Sequence, residues 1–441
     1  MRRILRENAV CALVAAASCA AMAWLGLYGF AWNDYENEAR PAFEALAHGH
    51  VLRFLQLAPA YGGSLIERAP FALLPGLWGG GPLAVYRMVA VPCLLAIAAF
   101  AVWLCARMRA EHRSTLARAL AVGICVANPM TLDALELGHP EELLGACLCV
   151  GAVVLASRRQ PLWAGVLLGL AIANKQWALV ATGPVLLALA AGAQSERGAA
   201  RVSGRRAILT CLASTCVVTA AIIGPLVLAS AGGFVSSARG AAVAGGAIFQ
   251  PWQAWWFLGS HGALVHGVFG TPLRGYRTGP AWASAISHPL IVAVGLALSA
   301  ALWLRRRREH RALDERSALL ALALVLLLRC LLDTWNTGYY MLPFAIALLA
   351  WEVRGADRPP WLVLTSVVLP WFGLQELSEN HLSPDAQAAL FLVWTLPLAA
   401  WLGLRLFAAS RAPVAQADTP GRSADAHEST VSVLGRLVST S

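Results

Sequence analysis

The stretch His288–Leu304 reads HPLIVAVGLALSAALWL and runs straight into Arg305-Arg306-Arg307-Arg308. A helix of this length on a soluble domain keeps a polar stripe toward water. This one has none, and a block of four cations ends it, which is the pattern of a bilayer segment followed by its stop. Similar runs recur on either side. Working outward, spans are expected near Ala9–Ala31, Leu83–Ala106, Leu116–Leu132, Glu141–Ser157, Pro161–Lys175, Gln176–Ala193 and Ile208–Ala231. Beyond Arg308 they are expected near Ser317–Asp333, Gly338–Trp351, Trp361–Leu377 and Ala386–Leu404. The fold class that follows is all-α, a polytopic transmembrane helical bundle of about 12 spans with no large soluble domain. Pro70–Trp78 is apolar but short and broken by Pro and Gly, so it reads as an interfacial or re-entrant piece.

Composition agrees with this reading. Hydrophobic residues make up 58% of 441 positions and charged residues only 13%, against roughly 25% charged in a soluble domain. The net charge of +10 does not indicate nucleic acid, because the basic residues sit in short clusters between apolar runs. The ten cysteines all fall in apolar segments, with no CxxC pair and no Cys/His cluster, so they are expected to be small buried apolar residues. The N-terminus resembles a signal peptide, but its apolar stretch reaches Ala31. That exceeds a typical h-region of about 7–15 residues, so an uncleaved first span is expected.

Orientation comes from the placement of cations. With the N-terminus inside, 25 of the 34 Lys and Arg residues fall on the cytoplasmic side, which puts both termini in the cytoplasm. The same count favours two spans over one between Pro161 and Ala193, since a single span would push Arg197, Arg201, Arg205 and Arg206 outside. The chain then divides into a membrane unit, residues 1–407, with long outer segments at 32–82 and 232–287, and a polar tail at 408–441 expected to be disordered.

Against this apolar background a few polar groups stand out. Asp34 follows the first span in Trp32-Asn33-Asp34-Tyr35-Glu36-Asn37-Glu38. A carboxylate held at the water–lipid boundary suits a general base toward a hydroxyl, though a solvated acidic loop explains it equally well. Glu136-Leu137-Gly138-His139-Pro140-Glu141-Glu142 opens the fourth span. Pro with Glu in a first turn is an ordinary helix start, yet five such groups at one edge exceed what capping needs. Lys175, the only lysine in a chain that otherwise uses Arg, ends the fifth span. It either snorkels or offers a compact ammonium to a phosphate. Arg329 and Asp333, four apart, are expected to pair, with Trp335, Asn336, Tyr339 and Tyr340 close behind. Those aromatics, and Trp252, Trp255 and Trp256, read either as an interfacial belt or as stacking faces for a sugar ring, belt being the default for the tryptophans. Arg68 and Arg274 read either as phosphate contacts or as ordinary loop arginines, with nothing to distinguish the two, and His381, Glu376, Glu379 and Asp385 complete the polar set on the outer side.

The grouping says more than any member, because on this topology Asp34, His139, Glu141, Lys175, Arg329, Asp333 and Trp252 all share the outer side. An interfacial site suits an enzyme acting on a lipid-linked substrate, whereas a transporter more often places ionisable groups at the midplane between inverted repeats. There is no GxxxxGK[ST], no GxGxxG after a strand and no HExxH. His48 with His50, and His261 with His266, lack a third ligand at useful spacing, so no metal is expected. A transporter or flippase for a lipid-linked glycan, and a non-catalytic membrane protein, are the competing readings.

Four features together resemble the GT-C superfamily of polytopic glycosyltransferases, and within it the bacterial polyprenyl-phosphate-mannose-dependent mannosyltransferase-like branch. They are Asp34-Tyr35, Gly138-His139-Pro140-Glu141-Glu142, the stretch Gly165–Lys175 with Gln176-Trp177, and Asp333-Thr334-Trp335-Asn336-Thr337-Gly338-Tyr339-Tyr340. The resemblance implies inverting transfer of mannose or another hexose from a polyprenyl-phosphate donor to a lipid or glycan acceptor. The reaction would take place on the extracytoplasmic face of a bacterial-type plasma membrane, with no cofactor, no metal and no nucleic-acid partner. It makes Asp34 the catalytic base and has Glu141 or His139 orient the base or the acceptor. Lys175 and Arg329 would neutralise the phosphate, and Asp333, Asn336, Tyr339, Tyr340 and Trp252 would bind substrate.

Overall fold

A computed structural model describes residues 2–26, 34–59, 61–193, 200–262, 264–266, 272–309, 314–355, 358–376 and 381–408. The tail beyond Ala408, Asn33 and Glu379 lie outside the described residues. The chain is a helical membrane bundle. Among the described residues the only strands are the two-residue pair Val265–His266 and Pro272–Leu273. In chain order the helices are α1 Arg2–Gly26, α2 Arg40–Ala47, α3 Val51–Leu57, α4 Gly63–Ala72, α5 Pro82–Ala110, α6 Thr115–Val126, α7 Pro129–Glu136, α8 Glu141–Ser157 and α9 Pro161–Asn174. They continue as α10 Thr182–Ala193, α11 Ala200–Ala229, α12 Ala231–Ala247, α13 Ala281–Arg308, α14 Glu315–Leu332, α15 Leu342–Glu352, α16 Trp361–Pro370 and α17 Pro384–Ala408. Five helical stretches are long and apolar enough to cross a bilayer, among them α5, α13 and α17, and shorter apolar helices fill the spaces between them.

The apolar pattern decides the layering. From Ala318 on, α14 is apolar except for Arg329 and is almost wholly buried, and α15 is buried throughout, which makes them the centre of the bundle. α11, α13 and α17 lie outside and keep apolar side chains such as Leu228, Leu304, Val393 and Leu404 exposed, as a lipid-facing surface requires. Eight of the ten cysteines are buried, Cys147 is partly so and Cys216 is exposed.

Close packing in lipid relies on small residues and on hydroxyls that bond across helices. Gly165 and Gly169 on α9 face α11. A Cβ on Gly165 would lie 2.0 Å from Ser214 Oγ and 2.3 Å from the Cys211 carbonyl oxygen. Thr215 and Thr219 on α11 donate to the Gly165 and Gly169 carbonyls, each at 3.1 Å. This contact holds α9, and with it the Asn174-Lys175 break, against the bundle.

The two ends of the bundle differ in chemistry. At one end the C-termini of α5, α13, α15 and α17 gather arginines. Arg354 pairs with Glu315 and lies 3.7 Å from Glu111, and Arg305, Arg316 and Arg405 stack on Phe407, Trp351 and Trp401. The opposite end carries the acidic and aromatic groups discussed below. The segments expected as outer loops are folded there. Residues Tyr35–Ala39 make one π-helical turn leading into α2, which packs on α3, α4 and α5, while α4 also packs on α5 and α3 on α11. Pro70 sits in the last turn of α4, and Leu74–Trp78 is a 3₁₀ turn with Leu77 and Trp78 exposed.

The second outer segment is fastened to the end of α14. The last α14 carbonyls have no partner within the helix. Leu331 accepts from the Ala254 N–H at 2.7 Å, and Leu332 accepts from the Trp255 indole at 2.8 Å and the Ser287 hydroxyl at 2.7 Å. Trp256 is a core residue here rather than part of an interfacial belt. It is fully buried against Phe249 and donates to Asp385 at 2.7 Å, and Arg277 grips the same carboxylate with two 2.8 Å hydrogen bonds.

Candidate active site

The site forms where four segments converge on the N-terminus of α8. Asp34 stands at the start of the π-helical turn. Its neighbour Tyr35 is buried and lies 4.3 Å from the Tyr86 ring on α5, whose hydroxyl donates to the Leu135 carbonyl. Gly138 adopts φ +90°, and a Cβ there would come within 2.7 Å of the Tyr35 nitrogen. A glycine is what lets the first outer segment approach the turn that carries His139.

His139 bridges two carboxylates. Its Nε2 lies 3.1 Å from Asp34 Oδ2 and its Nδ1 lies 2.9 Å from Glu141 Oε1. Ionised carboxylates only accept, which favours donation from both ring nitrogens and an imidazolium, against the Lys175 ammonium that also lies 3.4 Å from Nδ1. Burial and the nearby Lys175 ammonium lower its pKa, but the hydrogen bonds it donates to Asp34 and Glu141 outweigh them and raise it to about 9. Tyr339 stacks on the ring at 5.0 Å and 27°.

Glu141 is the hub. Besides His139 it meets Lys175 Nζ at 3.1 Å through Oε1 and Arg68 Nη2 at 3.2 Å through Oε2. Arg68 is 2% exposed and is oriented by the Ser64 carbonyl and hydroxyl one turn earlier on α4. Lys175 sits where α9 ends and a 3₁₀ turn, Gln176–Ala181, begins. Its backbone is extended there, and Asn174 fixes the break by donating to the Glu141 carbonyl at 2.9 Å. The ammonium lies 4.5 Å above the Tyr61 ring, and the Tyr61 hydroxyl donates to Glu38.

Glu142 anchors a second, deeper layer. It accepts from the Trp177 indole at 3.1 Å and lies 3.6 Å from Arg329 Nη1. The Arg329 guanidinium sits between the Trp177 and Tyr340 rings, 4.8 and 4.4 Å from their centroids, and is 4% exposed. Arg329 and Asp333 do not form the expected ion pair. Asp333 caps α14 with its N–H on the Arg329 carbonyl at 2.9 Å, but Arg329 is held elsewhere, by Glu142 and the Trp177 and Tyr340 rings. Asp333 instead accepts from the Trp335 N–H at 3.0 Å and faces His288 at 3.7 Å. Asn336 donates to the Trp252 carbonyl at 2.7 Å, and Trp252 donates to Gln387 at 3.1 Å.

The structure therefore brings Asp34, His139, Glu141, Lys175, Arg329, Tyr339 and Tyr340 into one cluster. It places Asp333, Asn336 and Trp252 in the adjoining joint that fastens the second outer segment. Among the described residues no His, Cys, Asp and Glu group has the arrangement of a metal site. A buried cluster of acids and bases at one end of a lipid-embedded bundle calls for a function, and comparison with known families supplies its class. The sequence profile of glycosyltransferase family 87 matches residues 63–332, more than half of the chain. The chain belongs to glycosyltransferase family 87. It is a membrane glycosyltransferase of GT-C type. No curated protein and no solved structure matches it.

The part matched to glycosyltransferase family 87 contains Arg68, His139, Glu141, Glu142, Lys175 and Arg329, while Asp34, Tyr339 and Tyr340 lie outside it and reach the same cluster through the fold. Arg68 was not legible as a site residue, although a signal was present. Glu67-Arg68 is a charged pair inside the otherwise apolar run Leu65–Leu74, which in a membrane protein is itself a functional flag. Tyr61 and Trp177 carried no such signal.

Proposed function

We propose that the chain transfers a hexosyl group, with inversion, from a polyprenyl-phosphate donor to a hydroxyl of a lipid or glycan acceptor on the extracytoplasmic face of a bacterial-type plasma membrane. The observation that carries this reading is the Asp34–His139–Glu141 relay beside Lys175. The Asp34 side chain is 43% exposed, while His139 and Glu141 are 8% and 1% exposed. One end of the relay thus faces a substrate and the rest is locked in place, the arrangement expected of a positioned base.

Asp34 accepts the acceptor's hydroxyl proton as that oxygen forms its bond to the anomeric carbon. The bond from that carbon to the phosphate oxygen breaks, and its electron pair leaves with polyprenyl phosphate. His139, held as imidazolium, orients Asp34. Lys175, the most exposed cation of the inner cluster at 12%, stands next to the relay and stabilises the departing phosphate, the point where negative charge develops. Arg329 is enclosed by Trp177, Tyr340 and Glu142, so its role is to position Glu142 and Tyr340 rather than to touch phosphate. The N-terminus and C-terminus both belong on the cytoplasmic side with the arginine-rich end.

The test is donor turnover by purified protein in liposomes with a panel of polyprenyl-phosphate hexoses and acceptor lipids extracted from native membranes. Turnover by wild type that is lost in Lys175→Met, with folding retained, supports the phosphate role. Unchanged turnover in that variant would remove Lys175 from the chemistry.

A further inference from the structure

A cavity of about 480 Å³ opens beside the relay, with Asn37, Glu38, Gln56, Tyr61 and Ser237 among its lining residues and a short apolar strip, Leu57 to Pro59, along one edge. Its size falls within the range of about 300–1,000 Å³ typical of small-molecule sites. Tyr61 is the shared wall. Its ring lies under the Lys175 ammonium and 6.4 Å from the His139 ring, while its hydroxyl turns toward Glu38 on the cavity side. Glu38 follows Asp34 by four residues on the same helical turn, which places the cavity next to the exposed carboxylate of the relay.

The lining decides the chemistry. Among the described lining residues there is no Lys, Arg or His, and the one charged group is a carboxylate, so a phosphate is disfavoured. One carboxylate alone does not hold a metal ion. Two amides and two hydroxyls, each able to donate and accept, match a ligand that presents many hydroxyls, and the apolar strip suits the C–H face of a sugar ring. We propose that this cavity binds a neutral sugar ring of the acceptor, with Asn37 and Gln56 holding its hydroxyls while Tyr61 and Glu38 set its distance from Asp34. This assignment rests on the transferase reading above. Donor phosphate belongs on the other side of Tyr61, with Lys175, so donor and acceptor meet across that ring.

Asn37 and Gln56 are exposed, so Asn37→Ala and Gln56→Ala leave the fold intact. In liposomes containing a polyprenyl-phosphate hexose and the native acceptor lipid fraction, each variant is expected to raise the acceptor KM about three- to tenfold, the effect of one lost hydrogen bond, with the donor KM unchanged. A rise in the donor KM instead would assign the cavity to the donor's own sugar and overturn the proposal. No change in either KM would overturn it as well. A second arm needs no turnover. Saturation-transfer NMR on the Asp34→Asn protein, without donor, should show contact with methyl hexopyranosides that Gln56→Ala weakens at least threefold. Absent contact, or contact indifferent to Gln56→Ala, rejects the cavity as a sugar site. Wild-type protein that binds glycosides but consumes no donor would count against the transferase reading alone.

Discussion

Glu141→Gln is the sharpest perturbation of the buried network. Glu141 is 1% exposed and lies within 3.2 Å of three cationic side chains, Arg68, His139 and Lys175. The amide keeps the shape and removes the charge. Arg68, itself 2% exposed, is then left in a dry site without a counter-ion, and a buried pair broken on one side costs about 3–5 kcal/mol. At roughly 2–4 °C per kcal/mol for a large domain, the unfolding midpoint should fall by about 6–20 °C. The assay is thermal unfolding in detergent followed by tryptophan fluorescence, at one scan rate for all variants. Glu36→Gln is the control. Its pair with Arg40 is formed by side chains 37% and 33% exposed, so its loss should cost under about 1 kcal/mol. A Glu141→Gln midpoint within 2 °C of wild type would refute the claim that this carboxylate neutralises a buried cation cluster.

The His139 pKa sets a pH window. Folding raises it from 6.5 to about 9, so the stability it contributes is complete below about pH 6.5 and is lost as pH rises through 9. Transfer should hold level to about pH 8 and fall above 9, and His139→Gln should lack that alkaline limb; a wild-type profile flat to pH 10 would contradict the imidazolium. Gly138→Ala places a methyl group against the Tyr35 nitrogen at a positive φ. It should cost about 1–3 kcal/mol and depress turnover more than stability, because Asp34 moves with Tyr35; full turnover would refute this. Gly165→Leu should lower the unfolding midpoint by at least several degrees, since its side chain has no space against Ser214 and Cys211.

The bundle was legible because a bilayer leaves few ways to write a span. Each of the stretches expected to cross overlaps helix among the described residues, although Leu116–Leu132 is split between α6 and α7 and five helical stretches alone are long and apolar enough to span. The arginines ending α5 and α13 fall at one end. The cluster was legible in part for the same reason. Asp34, His139, Glu141 and Lys175 are groups a lipid-facing edge does not tolerate without partners, and they turn out to be one another's partners. What failed did so for local reasons. The Arg329–Asp333 pair does not form because Arg329 is taken by Glu142, Trp177 and Tyr340 and Asp333 by the Trp335 N–H and His288, partners that spacing along one helix does not reveal. Arg68 looked like a loop residue because the short amphipathic helices α2 to α4 were read as loop. Trp256 looked interfacial because an indole in a belt and one in a core are identical in sequence, and only the Asp385 and Phe249 contacts distinguish them.

The central claim is that Asp34 is the base of a sugar transfer. Its most direct test compares wild type with Asp34→Asn in liposomes, supplied with a polyprenyl-phosphate hexose panel and native acceptor lipids, with donor consumption and product both followed. Wild type is expected to turn over at least one donor and Asp34→Asn to lose at least about 100-fold, the scale of a missing general base, with the unfolding midpoint unchanged. Equal turnover by the two proteins would contradict it.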